Sequence, residues 1–157
     1  MLVEIVKRIL IGIVATALLS ISIAVFAYEP ISNRQPNTSY TSLSGLFIIY
    51  TTYSGPILII AGVIWSFIID NLCVKYQKQF GSIRYFINLV CYILAGVVST
   101  IIFLLILSNG AVEFNSETIN FMGLGIIASL IYYHILVIWR SFFNKWGLLQ
   151  NRSVRRK

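Results

Sequence analysis

The hydrophobic positions of the chain fall into four long runs, at 9–27, 46–69, 86–107 and 119–139. Each run is about 20 residues long, the length that a helix rising about 1.5 Å per residue needs to cross a hydrocarbon core of about 30 Å. None of the runs contains Asp, Glu, Lys or Arg. The pattern predicts an all-α membrane protein with four transmembrane helices in an up-down bundle.

Composition supports the same class of protein. Hydrophobic residues make up 58% of the chain and charged residues only 11%, whereas about 25% of the residues in a soluble domain are charged. The segments between the runs are too short to form a second folded unit. We therefore predict a single membrane domain over 1–157, with a basic tail at 140–157.

The basic residues indicate how the helices are oriented. All but one of the 12 Lys and Arg residues lie before the first run, between the second and third runs, or after the fourth. The exception is Arg34, and the loop between the third and fourth runs carries Glu113 and Glu117. Because basic residues beside a span are retained in the cytoplasm, both termini are predicted to be cytoplasmic. The net charge of +7 then reflects topology and attraction to anionic lipid headgroups, and no nucleic-acid partner is expected.

The first run has two interpretations. Lys7 and Arg8 precede it, and Val25-Phe26-Ala27 resembles the small-residue site at which a signal peptide is cleaved. The apolar stretch is, however, longer than the 7–15 residues of a typical signal peptide. A retained membrane anchor is the favoured interpretation, and cleavage would leave the other spans in the same orientation.

Small residues recur every four positions along the first run, at Gly12, Thr16, Ser20 and Ala24. Such residues allow two helix backbones to approach closely in a membrane, where van der Waals contact and hydrogen bonds hold helices together. The row predicts a packing surface, either for another helix of the same chain, which is favoured, or for a dimer. The other runs contain smaller counterparts: Gly62 and Ser66, Ala95 and Ser99, and Gly125 and Ser129.

The second run is polar in its first half, where it contains Thr51, Thr52, Ser54, Gly55 and Pro56. Proline removes one backbone donor and crowds the carbonyl four residues earlier, so a kink is expected. The functional interpretation is a hinge or a polar pocket open to the outside. The alternative, which is favoured, is a tolerated kink with aromatic residues at the membrane interface.

His134 is the one histidine, and it lies within the fourth run among Tyr132, Tyr133 and Trp139. An ionisable side chain inside a membrane is a candidate for proton handling. Six residues separate His134 from Arg140, about 9 Å along a helix, which places it near the membrane interface. That depth favours a neutral histidine bonded to a neighbouring helix.

The tail combines aromatic residues with a basic end, Arg152, Arg155, Arg156 and Lys157. This arrangement is typical of a segment that lies in the headgroup plane, in contact with anionic lipid. A protein-binding motif is the alternative. Cys73 and Cys91 both fall on the cytoplasmic side of the predicted topology, so free thiols are expected.

No catalytic pattern accompanies this architecture. The chain has neither a Walker loop nor a GxSxG or HExxH motif, and no acid lies inside a run. We expect a non-enzymatic protein, without cofactor or metal, that has an accessory, regulatory or immunity-type role. It would act through helix–helix contacts with a membrane protein partner or a second copy of itself. The alternative is a small transporter or pore that uses the kinked polar second helix.

One segment of the second run resembles a known family. The residues concerned are Ile49-Tyr50, Ile57-Leu58-Ile59-Ile60, Gly62, Ser66 and Asp70. This stretch is similar to the second helix of small uncharacterised four-helix integral membrane proteins of Gram-positive bacteria. The resemblance implies four transmembrane helices and a location in the bacterial cytoplasmic membrane. It transfers no functional residue.

Overall fold

The structure is a computed structural model that describes residues 2–36, 38–76, 84–110, 112 and 114–154, with only the backbone described at 73–76, 84 and 143–154. Four α-helices make up most of it: α1 (Leu2–Ala27), α2 (Leu43–Tyr76), α3 (Arg84–Leu107) and α4 (Ser116–Val154). A 3-10 turn at Ile31–Asn33 lies between α1 and α2. The described residues contain no β-strand.

All four helices are long and apolar enough to cross a membrane, over Leu2–Asn33, Leu43–Leu72, Tyr85–Leu107 and Ser116–Phe142. The prediction of an all-helical chain with four membrane-spanning helices is confirmed at this level. The candidate spans extend beyond three of the hydrophobic runs by several residues. Helix α4 also continues without a break past residue 140, where the basic tail was predicted to begin.

Helices α1 and α2 form an antiparallel pair that packs more extensively than any other. Arg8 near the start of α1 meets Asp70 near the end of α2. Further along α1, Gly12 lies against Ile59, and a Cβ atom added at Gly55 would contact Thr16 at 3.3 Å. The two helices therefore run in opposite directions along most of their length.

Helices α3 and α4 form a second antiparallel pair. Tyr85 at the start of α3 lies beside His134, whereas Gly96 lies against the backbone of Gly125. Between the pairs, α1 contacts α4, and α2 contacts both α3 and α4. We call the end of the bundle that carries Arg8, Asp70 and Arg140 the charged end. The opposite end, with the described residues of the two connecting segments (28–36, 38–42, 108–110, 112 and 114–115), is the loop end.

Local backbone chemistry sets the boundaries at the loop end. After α3, Asn109 has φ 51° and Gly110 has φ 94°, and the Gly110 amide donates to the Leu105 carbonyl at 2.9 Å. A left-handed residue just past a helix is a common way to stop it. The Asn115 side chain then accepts a hydrogen bond from the Thr118 amide at 2.9 Å. Such a cap satisfies a backbone donor at the start of α4.

Candidate functional site

Three charged side chains from three helices meet at the charged end. The Asp70 carboxylate of α2 accepts hydrogen bonds from Arg8 of α1 at 2.6 Å and from Arg140 of α4 at 2.5 Å. Arg8 also donates to the Ser66 hydroxyl. Charge-assisted bonds of this kind are shorter and stronger than neutral ones. The cluster of Arg8, Asp70 and Arg140, which we call the charge cluster, therefore links α1, α2 and α4.

Burial of the charge cluster is uneven. Only 7% of the Arg8 side chain is exposed, compared with 26% for Asp70 and 41% for Arg140. The guanidinium of Arg8 lies 3.8 Å from the centre of the Phe67 ring, a favourable cation–π arrangement. Two cations share one anion, and the exposed Arg140 carries the remaining positive charge toward the surface of the bundle.

The charge cluster is not evident from the sequence, because each of its three residues lies just outside a hydrophobic run. In the structure, all three lie inside helices and inside the candidate spans. Asp70 directly follows the second run, which itself contains no acid, and the longer candidate span Leu43–Leu72 includes Asp70. One feature of the sequence could have indicated the cluster. Asp70 directly follows the second run, while Arg8 directly precedes the first and Arg140 directly follows the fourth.

A group of stacked tyrosines lies next to the charge cluster. The Tyr92 ring of α3 is stacked on Tyr133 with the ring centres 4.9 Å apart and on Tyr132 at 6.3 Å. The Tyr132 hydroxyl donates to the Arg8 backbone carbonyl at 3.3 Å. A Cβ atom added at Gly62 would lie 2.6 Å from the Tyr132 ring, so only glycine fits there without movement of the ring. Tyr132 thus contacts α1, α2 and α3 from α4.

On the loop-end side of the tyrosines, the bundle contains a cavity of about 290 Å³. All four helices contribute to its walls, which are mostly apolar and include several aromatic side chains. Its lining includes Leu19 and Ile23 of α1; Tyr50, Tyr53, Ser54, Ile57, Ala61, Gly62 and Trp65 of α2; Tyr92, Ala95, Ser99, Thr100 and Phe103 of α3; and Phe121, Leu124, Gly125, Ala128, Ser129 and Tyr132 of α4.

The cavity has an exposed rim and a buried floor. Tyr53 is 74% exposed and Phe121 is 49% exposed, and both lie on the loop-end halves of their helices. Tyr92 and Tyr132, which are 3% and 1% exposed, lie toward the charged end. On one wall, the Trp65 indole donates to the Ser99 hydroxyl at 2.7 Å and joins α2 to α3. The cavity therefore extends from the surface of the bundle toward its centre.

One polar group in the tyrosine stack lacks a partner. The Tyr92 hydroxyl is buried and makes no hydrogen bond to any part of the chain that the structure describes. A buried hydroxyl without a partner costs about 1–3 kcal/mol. Its neighbour Tyr132 has the Arg8 carbonyl as an acceptor, so the two stacked phenols differ in this respect.

The four small residues of the first run are buried, and Gly12, Thr16 and Ser20 lie beside α2. Ser20 is fully buried, Ala24 is 1% exposed and Thr16 is 3% exposed. A Cβ atom added at Gly12 would lie 3.1 Å from the Ile59 side chain. The Thr16 hydroxyl donates within its own helix, to the Gly12 carbonyl. The Ser20 and Ser54 hydroxyls are 3.5 Å apart, which is a weak contact.

The small residues of the other helices divide between two surroundings. Ser66 is fully buried and takes part in the charge cluster. Ala95, Ser99, Gly125 and Ser129 all line the cavity. Gly125 also lies against Thr100 and Gly96 on α3. Ser129 also lies beside Gly96. The closest approach of α3 to α4 therefore uses Gly96 and Gly125.

The residues predicted to form a hinge or polar pocket face different directions. Ser54 lines the cavity and Gly55 is buried, but Thr52 and Pro56 are exposed on the outer surface of α2. The Thr51 hydroxyl is buried without a hydrogen-bond partner among the described residues. The Thr52 and Ser54 hydroxyls donate to the Ile48 and Tyr50 carbonyls. α2 is helical through Pro56.

His134 lies on the surface of the bundle and contacts both its own helix and α3. Its Nδ1 atom is 2.7 Å from the Leu130 carbonyl oxygen. Since a carbonyl only accepts hydrogen bonds, Nδ1 carries the proton. Nε2 lies 3.1 Å from the Tyr85 hydroxyl and accepts from it when the ring is neutral. The structure thus places the His134 side chain of α4 against Tyr85 of α3.

Some predicted features lie outside the described residues or their side chains. These include the side chains of Cys73 and of the basic tail from 143 onward. Cys91 is a free cysteine. Among the described residues, no group of three or more His, Cys, Asp or Glu side chains is arranged to hold a metal ion.

Comparison with known proteins identified no similar protein. No family model, no curated protein and no solved structure matches the chain. The charge cluster and the cavity are therefore the features on which a functional proposal rests.

Proposed function

We propose that the chain is a multi-pass protein of the bacterial cytoplasmic membrane, with four helices in an up-down bundle and both termini in the cytoplasm. The distribution of Lys and Arg supports this orientation. The resemblance of the second helix to small four-helix membrane proteins of Gram-positive bacteria supports a bacterial origin. In this orientation the charge cluster lies at the cytoplasmic edge of the membrane. The basic tail would then contact anionic lipid headgroups.

Within this membrane, the chain acts as a non-enzymatic accessory, regulatory or immunity-type protein through helix–helix contacts. The observation that carries this proposal is the charge cluster. The Asp70 carboxylate of α2 binds the guanidinium groups of Arg8 on α1 and Arg140 on α4. These side chains stabilise a particular arrangement of the helices, which presents a defined apolar surface to a membrane protein partner or a second copy of the chain.

Purification of the tagged full-length chain from its own membrane in a mild detergent tests this proposal. We expect a partner, or a second copy, at a stoichiometric ratio, identified by mass spectrometry and by the mass of the complex. Asp70→Asn should release it, because the helix arrangement is altered. Lys7→Gln serves as a matched control, since the Lys7 side chain is 36% exposed and pairs with the nearby Glu4 of its own helix. Purification of the chain as a monomer, with no partner at a stoichiometric ratio, would overturn the proposal.

The cavity favours a second candidate function, a small transporter or pore. The polar first half of α2 contributes Tyr50, Tyr53 and Ser54 to its walls. Purified protein in liposomes distinguishes this candidate from the accessory role. If it transports, substrate-dependent flux should be lost in Ser54→Leu, which adds bulk to the cavity wall. Flux should persist in Thr52→Val, because Thr52 is exposed on the opposite surface. Absence of flux across candidate substrates would exclude this function.

A further inference from the structure

The charged end of the bundle carries an excess of positive charge. Arg8 and Arg140 share the single carboxylate of Asp70, and both donate to the same oxygen, Oδ2. Two further charged side chains described near the start of α1, Lys7 and Glu4, pair with each other at 2.8 Å. Together these groups are three bases and two acids, so a net charge of +1 remains.

The sequence offers no further acidic side chain at this end. Its other acids belong to the connecting segments of the loop end or to the first turn of α4: Glu29, Glu113 and Glu117. Every charged residue at 71–84 and at 141–157, the segments that follow Asp70 and Arg140, is Lys or Arg. The excess charge is therefore available to an anion of another molecule.

Arg140 is the member of the charge cluster that can reach such an anion. Its Nη2 atom donates to Asp70, whereas its Nε and Nη1 donors have no partner among the described residues and are accessible at the surface. Arg8 differs, because its side chain is almost fully buried and its Nε atom is enclosed. The planar donors of a guanidinium match the oxygens of a phosphate, often two at a time. Arg140 can thus hold Asp70 and a phosphate together.

The position of Arg140 in its helix indicates which molecule supplies the phosphate. The candidate span of α4 ends at Phe142 and that of α2 at Leu72, so Arg140 and Asp70 each lie two residues inside the end of a span. Two residues correspond to about 3 Å along a helix. An arginine near the end of a membrane helix extends its charge to the interface, where the phosphate groups of the lipids lie. Phospholipids therefore surround this site in the membrane.

We infer that Arg140 binds the phosphate group of an anionic phospholipid, with Nη2 on Asp70 and Nε or Nη1 on the phosphate. A headgroup with a net negative charge neutralises the excess charge of the cluster, whereas a zwitterionic headgroup does not. Arg8 keeps Asp70 paired whether or not a lipid is bound. This site is distinct from the basic tail, and it does not rest on the accessory role. A monomer that retains the lipid would contradict the accessory role alone.

Native mass spectrometry of the full chain in detergent tests the inference, because it counts the bound lipids and gives the affinity for the first one. Three lipids with identical acyl chains serve as probes: phosphatidylglycerol, phosphatidylcholine and diacylglycerol, which lacks a phosphate. We expect the first phosphatidylglycerol to bind most tightly, about 10-fold more tightly than diacylglycerol. This comparison uses the unaltered chain, so it holds even where a variant fails to fold.

Arg140→Gln should weaken binding of the first phosphatidylglycerol about 10-fold, as loss of a charged hydrogen bond implies, and should leave diacylglycerol unchanged. Arg34→Gln is the matched control, because it removes the same charge from the segment between α1 and α2 at the loop end. Its affinity for the first phosphatidylglycerol should equal that of the parent. Arg156→Gln, which removes the same charge from the basic tail, should have a smaller effect than Arg140→Gln.

Three results would overturn the inference. Equal affinity of the unaltered chain for phosphatidylglycerol and diacylglycerol would show that no phosphate is recognised. Displacement of phosphatidylglycerol by inorganic phosphate would assign the site to a soluble phosphate and not to a lipid. Equal losses of affinity in Arg140→Gln and Arg156→Gln would show that the lipid is attracted by the basic side of the protein as a whole, without a site at Arg140.

Discussion

The Arg8 guanidinium donates to the Asp70 carboxylate at 2.6 Å, and the two residues belong to different helices of the bundle. The pair is only partly exposed, and Arg140 binds the same carboxylate from a third helix. Removal of one member of a buried ion pair is costly because the remaining charge loses its partner. Asp70 is therefore the residue on which the arrangement at the charged end depends most.

Asp70→Asn should lower the free energy of unfolding more than Arg140→Gln. Loss of the carboxylate leaves two guanidinium groups facing each other, whereas loss of Arg140 leaves a neutral pair of Arg8 and Asp70. Breaking a buried ion pair costs about 3–5 kcal/mol, and partial exposure of Asp70 and Arg140 should reduce this. Thermal unfolding in detergent shows which of the two variants is the less stable. Equal melting temperatures for the two variants would contradict the ranking.

Gly62→Leu should destabilise the bundle, because the Tyr132 ring occupies the space that a side chain at residue 62 would need. Overpacking of this kind costs about 1–3 kcal/mol. Gly123→Leu is the control, since no atom lies within 4 Å of a Cβ atom at Gly123. Thermal unfolding of the two variants should therefore differ by several degrees. A Gly62→Leu protein that melts with the control would show that the ring moves freely.

On α1, Gly12→Leu and Ala24→Leu should lower the melting temperature, because both positions are buried. The expected cost is about 1–3 kcal/mol for each. Ile13→Leu, at an exposed position of the same helix, should be nearly silent. Thr16→Val should also be mild, because the Thr16 hydroxyl binds the Gly12 carbonyl of its own helix. Thermal aggregation in detergent is the measurement, and variants that melt like the parent would contradict the prediction.

Reporter fusions test the orientation of the four helices. A topology reporter placed after residue 35, 78, 113 or 157 should report outside, inside, outside and inside in turn. The physical reason is the retention of Lys and Arg on the cytoplasmic side. A reporter at residue 157 that is active outside the cytoplasm would contradict the proposed topology.

The sequence was sufficient to predict the four helices, since a long apolar run without charge has few other stable structures in a membrane. Three residues of the predicted packing row, Gly12, Ser20 and Ala24, are buried in the structure. Hydropathy carries this information because each helix depends mainly on its own residues. The segments were therefore predictable one at a time.

The charge cluster and the cavity were not predictable in the same way, because they depend on which helices become neighbours. Arg8 and Arg140 were interpreted as topology signals, and nothing in their local sequence indicates that both reach Asp70. Similarly, the polar half of α2 predicted a pocket, but residue spacing alone did not separate Ser54, which lines the cavity, from Thr52, which is exposed. The position of Tyr92 opposite α2 is likewise a property of the packed bundle.

The order of residues in the charge cluster has a consequence for biosynthesis. Arg8 and Asp70 are both translated well before Arg140, and they are held by adjacent antiparallel helices. The first hairpin can therefore enter the lipid with its charges already matched. Arg140 arrives last, on the final helix, and completes the cluster. Translation thus supplies the cation and its counterion before the second cation that they later share.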